Sequence, residues 1–458
     1  MRMGHEYLDL LKWAVNEALK LGADEAEVFF SHMRGYIVNI EAGDVKNPTF
    51  LDESGVGIRV IKDKKLGYAS INVLERDSIL AAIKRALAMA RASKENPKWV
   101  SLPEAEKYPT ISGVYDKRIE EATASTALDV AKRMVTSVFD TDKRAIPAWG
   151  GTIIGVEESV IVNSHGVEGV KKGTFCGANL GVIARDGTVT TPIHTEFSMS
   201  RGLYINPEDV GKNATKNAIQ SLQVTKIETG NYPVIFSPNA SFMLFLFTLI
   251  RALEADFVQM KRSPYAGKIG ETVMDEKLTI IDDGTLPGGI GSDPFDDEGV
   301  PSQRKVLVDK GVLREFLYDN YTARIDNRKS TGNGIRYSWM ATQPKYELTP
   351  TISPTNFIIE GGDSSFDEMI SEMKNGVYVL EVQGAHSSNP ETGEVSVVAT
   401  PAWRIENGEI KGLIPGLMLS MNIYDALKCI DLVSREQKVV YNTILPWIQI
   451  SEIRLVSK

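Results

Sequence analysis

Cysteine is almost missing from this chain: Cys176 and Cys429 are the only two in 458 residues. They form no CxxC pair, which argues against a zinc ribbon or a disulfide framework and fits a reducing interior. Histidine is scarce too, with five in all. Positive charge is in deficit. The formal net charge of −9 runs against the basic surface of a general nucleic-acid binder, so direct nucleic-acid binding is not expected. No apolar run reaches the roughly 20 residues that a bilayer-spanning helix needs. Residues 1–21 scatter charge through what would be the apolar core of a signal peptide. A cytoplasmic protein without membrane attachment is the expectation. The glycines make neither a GxGxxG nor a Walker pattern, and no GxSxG nucleophile elbow is present.

What is there suits a soluble globular chain of roughly two to three domains: 43% of residues are apolar and 24% charged. Leu8, Leu11, Val15, Ala18 and Leu19 share one face of a helix that Gly22 stops. Strands over 26–30 and 35–41 follow, then a hairpin of 55–62 with 65–73. A helix starts near Asp77, a candidate N-cap, and buries Leu80, Ile83, Leu87 and Ala90. This outlines an α/β lobe over 1–92. The region 93–222 opens with a linker holding Pro97, Pro103 and Pro109. It continues with a helix over 122–139, a β-rich stretch, and a helix opened by Pro207. From 223 to 458, short strands separated by Gly, Asp and Asn turns predominate. One run, Phe242 to Phe247 with Leu249 and Ile250, is apolar on every side, which marks a buried helix. It is placed near 239–257, with Asn239 as candidate N-cap. The expected fold class is α+β: an α/β N-terminal lobe followed by a large, mostly antiparallel β domain around a buried helix.

Chemistry is thin on these elements. His194-Thr195-Glu196 would put two ligand types on one face of a strand, with His165 or His386 as a third. A polar strand facing solvent or an interface explains the pattern more simply. Asp293-Pro294-Phe295-Asp296-Asp297-Glu298-Gly299 offers carboxylates of the kind Ca²⁺ and Mg²⁺ prefer. Its spacing does not match a regular Ca²⁺ loop, and an acid-rich turn beside a strand is the simpler account. The residues alone yield no catalytic constellation.

Several segments in order resemble the TldD/PmbA family. In the second half they are Leu253-Glu254-Ala255-Asp256-Phe257, Gly267-Lys268-Ile269-Gly270-Glu271, Ile281-Asp282-Asp283-Gly284-Thr285, Phe295-Asp296-Asp297-Glu298-Gly299-Val300-Pro301 and Ser330-Thr331-Gly332-Asn333-Gly334. Gly57-Ile58-Arg59-Val60-Ile61 and Asn163-Ser164-His165-Gly166 extend the resemblance to the first half. TldD-type members are metallopeptidases with a His-Glu-x-x-x-His segment directly before the Leu-Glu-Gly-Asp-Phe-like run, and a C-terminal Cys as a further ligand. On this chain the first pair falls on Leu246 and Phe247 and the second His on Arg251. No Cys follows Leu432, and Cys429 reads as a small buried hydrophobe. The chain therefore resembles the PmbA or TldE type, which pairs with a TldD-type subunit and lacks the metal site.

The resemblance implies no catalytic residue, metal or cofactor in this chain. It implies a non-catalytic PmbA/TldE-like subunit of a heteromeric, cytoplasmic TldD/TldE-type zinc metallopeptidase acting on unfolded or small peptides, and an older link to DNA gyrase. Gly384-Ala385-His386-Ser387-Ser388-Asn389-Pro390-Glu391-Thr392-Gly393-Glu394 resembles the PmbA version of its loop. Gly384, His386, Ser387 and Asn389 are therefore the candidate peptide-binding residues, with 384–398 a place for an incoming strand. The alternative is a homodimeric peptide-binding or scaffold protein without enzyme activity. A third reading is a hydrolase built from His165, His194, Glu196 and His386.

Overall fold

The structure, a computed structural model, describes residues 2–337 and 343–457, with side chains from residue 7 onward. The first half holds helices α1 (Arg2–Lys20), α2 (Arg76–Ala92), α3 (Ala124–Thr141) and α4 (Pro207–Gln220). Its main strands are β1 (Glu25–Glu41), β2 (Thr49–Lys62), β3 (Lys65–Ile71), β4 (Ala145–Asn163), β5 (Glu168–Asp186) and β6 (His194–Ser200). In space the order is β3, β2, β1, β4, β5, antiparallel throughout, and β6 pairs β5. The two strands expected over 26–41 are one strand of 17 residues. Gly35 does not break it. A Cβ there would come within 2.3 Å of the Ile154 carbonyl, so Gly35 serves a close crossing between β1 and β4. Helix α2 starts at Arg76, and Asp77 sits in its first turn instead of capping it.

Side chains alternate across a strand, and that parity organises the molecule. Even-numbered Val28, Phe30, Val38 and Ile40 of β1 pack under the four helices. Odd-numbered Glu27, Phe29 and Met33 face the other way, toward the second half of the chain.

The second half begins with β7 (Gly230–Phe236), α5 (Pro238–Leu246), α6 (Leu249–Ala252) and α7 (Ala255–Gln259). Later come β8 (Asn375–Val379), β9 (Val382–Gln383), β10 (Glu394–Ala399), β11 (Leu417–Asn422), β12 (Ile430–Val440) and β13 (Thr443–Val456). They belong to a 13-stranded sheet among the described residues. β13 is its spine: it pairs β7, β11 and β12 antiparallel, and Phe357–Ile359 in parallel. Apart from that pairing and β7 with β8, the ladders are antiparallel. The α+β class and the mostly antiparallel second half are as expected.

The single helix expected near 239–257 is three short ones. Thr248 leaves helical geometry (φ −134°, ψ −81°), with its hydroxyl bonded back to the Leu244 carbonyl at 2.6 Å. Glu254 is extended and makes a bridge to Leu317. A sequence apolar on all sides cannot report these local competitors for the backbone. Ser237, not Asn239, caps α5: its Oγ accepts from Ala240 N at 3.1 Å, and Pro238 takes the first helical position.

The two halves are joined by buried charge. The acid-rich segment is a turn, as expected, but a buried one: Asp296, Asp297 and Glu298 are at most 2% exposed and tie the two halves together. Asp296 accepts three backbone N–H groups, from Glu298, Val300 and Gly334, each at 2.9 Å. Lys171 on β5 reaches Asp297 at 2.8 Å. Arg59 on β2 bridges Glu27 (2.6 Å) and Glu298 (3.1 Å). Lys171 and Arg59 lie more than 100 residues from these acids, so sequence alone does not show the pairing.

Candidate functional site

The end of α5 and all of α6 carry the positions singled out by sequence. Leu246 and Phe247 are half-buried where the chain leaves α5, and Arg251 is half-buried on α6. The Arg251 guanidinium donates to both carboxylate oxygens of Asp256, at 2.8 and 2.7 Å, and also to Glu254. Burial pushes the Glu254 carboxyl up to about 8, with Arg251 opposing the shift. Arg251 lies 4.9 Å from the Phe257 ring, and Arg262 lies 5.0 Å from the same ring. Arg262 in turn reaches Glu391 at 3.2 Å. The segment is thereby fastened to the loop that follows β9.

That loop is shaped by its own backbone. Gly384, at φ +91°, turns the chain out of β9 into a short turn over Ala385–Ser387. The Asn389 side chain accepts from Glu391 N (2.9 Å) and Thr392 N (3.3 Å), and Gly393 N donates to the Asn389 carbonyl at 2.8 Å. His386, Ser387 and Asn389 are exposed. The His386 ring stands edge-on to Phe247, with centroids 6.4 Å apart. Two groups of positions singled out separately thus form one surface. The strand at the end of this segment, β10, is paired with β11 along its whole length, and its last two residues pair β9.

Chemically, Leu246 and Phe247 offer no ligand atom, and Arg251 is a permanent cation fixed in two ion pairs. These residues do not fit a zinc ion. Among the described residues no group of three or more His, Cys, Asp and Glu could hold a metal. The alternative cluster is dispersed. His165 pairs with Glu25 at 2.9 Å. His194 is fully buried and stacked on Trp403, where burial pushes its pKa down to about 4. Glu196 is bound to Lys438, and His386 lies on the loop. Cys429 is exposed, against the expectation of a buried thiol, because it follows the short helix Ile423–Ala426 at its outer end.

Sequence reasoning missed the cavities. One of about 450 Å³ lies between the odd face of the first sheet and the second half, with Met33, Ile153, Phe175, Met199, Phe295 and Tyr441 in its wall. The available signal was the apolar residues on the face of β1, β4 and β5 away from the helices.

Family models cover most of the chain in three consecutive matches. They are described as PmbA/TldA metallopeptidase domain 1 (residues 26–90), central domain (117–222) and C-terminal domain (229–457). The chain belongs to the PmbA/TldD family. Among PmbA/TldD relatives, an uncharacterised protein of Methanocaldococcus jannaschii is 31% identical, over 90% of this chain and 93% of its own length. Metalloprotease PmbA of Escherichia coli O157:H7 is 28% identical, over 91% and 89%. The crystal structure of TldE from Thermococcus kodakarensis superposes with a TM-score of 0.90 at 30% identity, covering 98% of this chain and 100% of that one. No helix among the described residues is long and apolar enough to cross a membrane.

Proposed function

We propose that this chain is the non-catalytic, PmbA/TldE-like subunit of a heteromeric cytoplasmic metallopeptidase, whose TldD-type partner supplies the zinc site. The observation that carries this reading is the state of Arg251. It stands where the resemblance puts a metal-binding His, and Glu254 and Asp256 hold it as an ion-paired structural cation. Leu246 and Phe247 complete an apolar, donor-free patch beside it. The zinc of the partner would activate water for peptide hydrolysis. This chain's part is to bind and orient. Phe247 and His386 give a peptide an apolar and aromatic contact, and the Asn389-braced loop holds that contact in place. The similarity to Thermococcus kodakarensis TldE over 98% of the chain supports the same assignment.

The test is to mix the purified chain with a TldD-type subunit from the same genome and follow co-elution and cleavage of an unstructured peptide. Co-elution, with cleavage that requires both chains, is the expected result. A chain that cleaves peptide alone, or that neither co-elutes nor stimulates cleavage, would overturn the reading. A stable homodimer indifferent to the partner would favour a scaffold role.

A further inference from the structure

His194 is the first residue of β6, and there the first half of the chain meets Trp403 of the second. It is fully buried, and neither ring nitrogen has a hydrogen-bond partner. The ring stacks on Trp403, with centroids 5.9 Å apart and planes 19° from parallel. Trp403 lies on the strand Ala402–Glu406, which pairs β8. Its indole N–H donates at 3.0 Å to the hydroxyl of Ser221, the residue that ends α4. The chain crosses from one half to the other beside this contact. Thr225 N donates to the Leu413 carbonyl at 2.8 Å, and Arg404 donates to the Lys226 carbonyl at 2.9 Å. The joint thus rests on one imidazole, one indole and one hydroxyl.

A neutral imidazole carries one N–H and one bare nitrogen. Both go unanswered here, because the Trp403 N–H is engaged by Ser221. A buried polar group without a partner calls for an explanation. Protonation adds a second donor and a full charge, which a buried apolar site strongly disfavours. The charged groups on the surrounding elements do not relieve it. On β6 itself, Glu196 is bound to Lys438 of β12. Glu381, beyond β8, takes the Thr195 N–H, and burial pushes its carboxyl up to about 7. On the strand of Trp403, Arg404 pairs with Glu406 at 3.0 Å, and on the next strand Lys411 pairs with Glu409. Lys216 on α4 and Arg185 on β5 are exposed. Burial alone lowers the pKa of the ring, with no charge opposing it.

We propose that His194 is an acid-sensitive latch: its neutral ring closes the joint on Trp403, and protonation opens that joint while the rest of the fold stays intact. The closed joint holds the ring down at about 4, and an opened joint returns it to its ordinary value of about 6.5. The open form therefore takes the extra proton, and the closed form loses ground as pH falls from about 6.5 toward about 4. Over that window each pH unit favours opening by about tenfold. Asp296 and Glu298, whose carboxyls burial raises, respond in the opposite direction. Acid thus tightens the seam at those carboxyls and loosens this joint. The latch does not depend on the metallopeptidase reading.

Amide hydrogen exchange of the full chain measures opening segment by segment. It is read by mass spectrometry at pH 7.5 and pH 5 and corrected for the intrinsic pH dependence. Exchange over 194–200 and 402–406 should rise at least about tenfold at pH 5, while 296–300 shows no such rise. His194→Phe keeps a ring on Trp403 and cannot titrate, so it should abolish the acid response. No rise, a rise of the same size in His194→Phe, or a rise shared by the whole chain would overturn the proposal. Should His194→Phe not fold, a chain carrying His5→Gln, His32→Gln, His165→Gln and His386→Gln reports the remaining ring alone by NMR. A ring still neutral at pH 5.5 while the joint is closed supports the latch. A ring that charges near its ordinary value without any change in exchange at the joint overturns it.

Discussion

Arg336 and Glu27, 309 residues apart in sequence, meet in a buried ion pair at 2.7 Å. Glu27 lies on the outward face of β1, where Arg59 reaches its second oxygen. The Arg336 guanidinium lies 4.5 Å over the neighbouring Phe29 ring. Removing one partner strands a buried charge, which typically costs about 3–5 kcal/mol, whereas replacing both with apolar groups of similar volume is often near neutral. Glu27→Leu or Arg336→Met alone should each lower the urea unfolding free energy by that order. The double variant should lose less than the sum, tempered by the Arg59 that also needs Glu27. Strict additivity would mean that the two residues are not coupled.

The same interface sets a pH dependence. Burial pushes the Glu298 carboxyl up to about 8, with Arg59 opposing and Asp319 and Asp296 adding to the rise. Burial pushes Asp296 up to about 7, against its three backbone donors. A carboxyl whose folded-state pKa lies above its unfolded value keeps a proton that the unfolded chain has released. Its contribution to stability therefore falls as pH climbs from about 4.5 to about 8. Asp297 behaves oppositely. Burial would raise it, but Lys171 and Lys345 hold it below the usual carboxylate range, so its contribution is lost only as pH falls below about 4. Glu298→Gln should flatten the decline in unfolding free energy between pH 5 and 8 by at least about 1 kcal/mol. An unchanged slope would show that Glu298 does not titrate in that window.

Much of this architecture was legible in the sequence, because long periodic segments announce themselves. The helices burying Leu11 and Ile83 and the strand flanks of the Asp63-Lys64 turn follow from spacing, and the helix at Pro207 from its opening proline. Four things were hidden. Gly35 looks like a break in sequence and is a close crossing in space. Phe242 to Ile250 reads as one buried helix because nothing in its apolar pattern reveals the Thr248 hydroxyl or the extended Glu254. The burial of the turn at Asp296, Asp297 and Glu298 was hidden because Arg59, Lys171 and the Gly334 N–H come from other parts of the chain. The contact of Phe247 with the His386 loop likewise depends on tertiary closure between α5 and β9.

Ser237 joins two elements through one hydroxyl. It accepts from Ala240 N at the start of α5 and donates to the Leu380 carbonyl just beyond β8, at 2% exposure. Ser237→Ala should cost about 1–3 kcal/mol, since it removes a cap and leaves a buried carbonyl unpaired. Ser237→Thr should retain most of the stability. Thermal unfolding of the two variants checks this, and equal melting points would refute it.

Arg251 should matter to folding and not to chemistry within this chain. Its loss leaves Glu254, 8% exposed, without its cation. Because the Arg251 side chain is itself 33% exposed, the penalty is discounted to about 2 kcal/mol. Arg251→Ala should lower the unfolding midpoint, and Arg251→Lys should restore part of it. A fully stable Arg251→Ala protein would show that Glu254 finds solvent or another partner.

Phe247 and His386 supply the sharpest test of the proposed docking surface, provided the complex with a TldD-type subunit is in hand. Among the described residues no group of metal ligands forms around either one, so a docking role predicts contacts with a peptide that are the same in the ground state and in the transition state. Uniform binding of this kind changes KM and leaves kcat alone. Phe247→Ala loses a half-buried aromatic face, for which about 1–2 kcal/mol is reasonable, so KM should rise roughly five- to thirtyfold. His386→Ala should act in the same direction by a smaller factor, since its ring is exposed. The two effects should not add, because the rings touch. Steady-state kinetics on a single fluorogenic peptide distinguishes the outcomes. A collapse of kcat with KM unchanged would place these side chains in the chemical step and contradict a docking role, and unchanged kinetics in both variants would move the peptide elsewhere on the molecule.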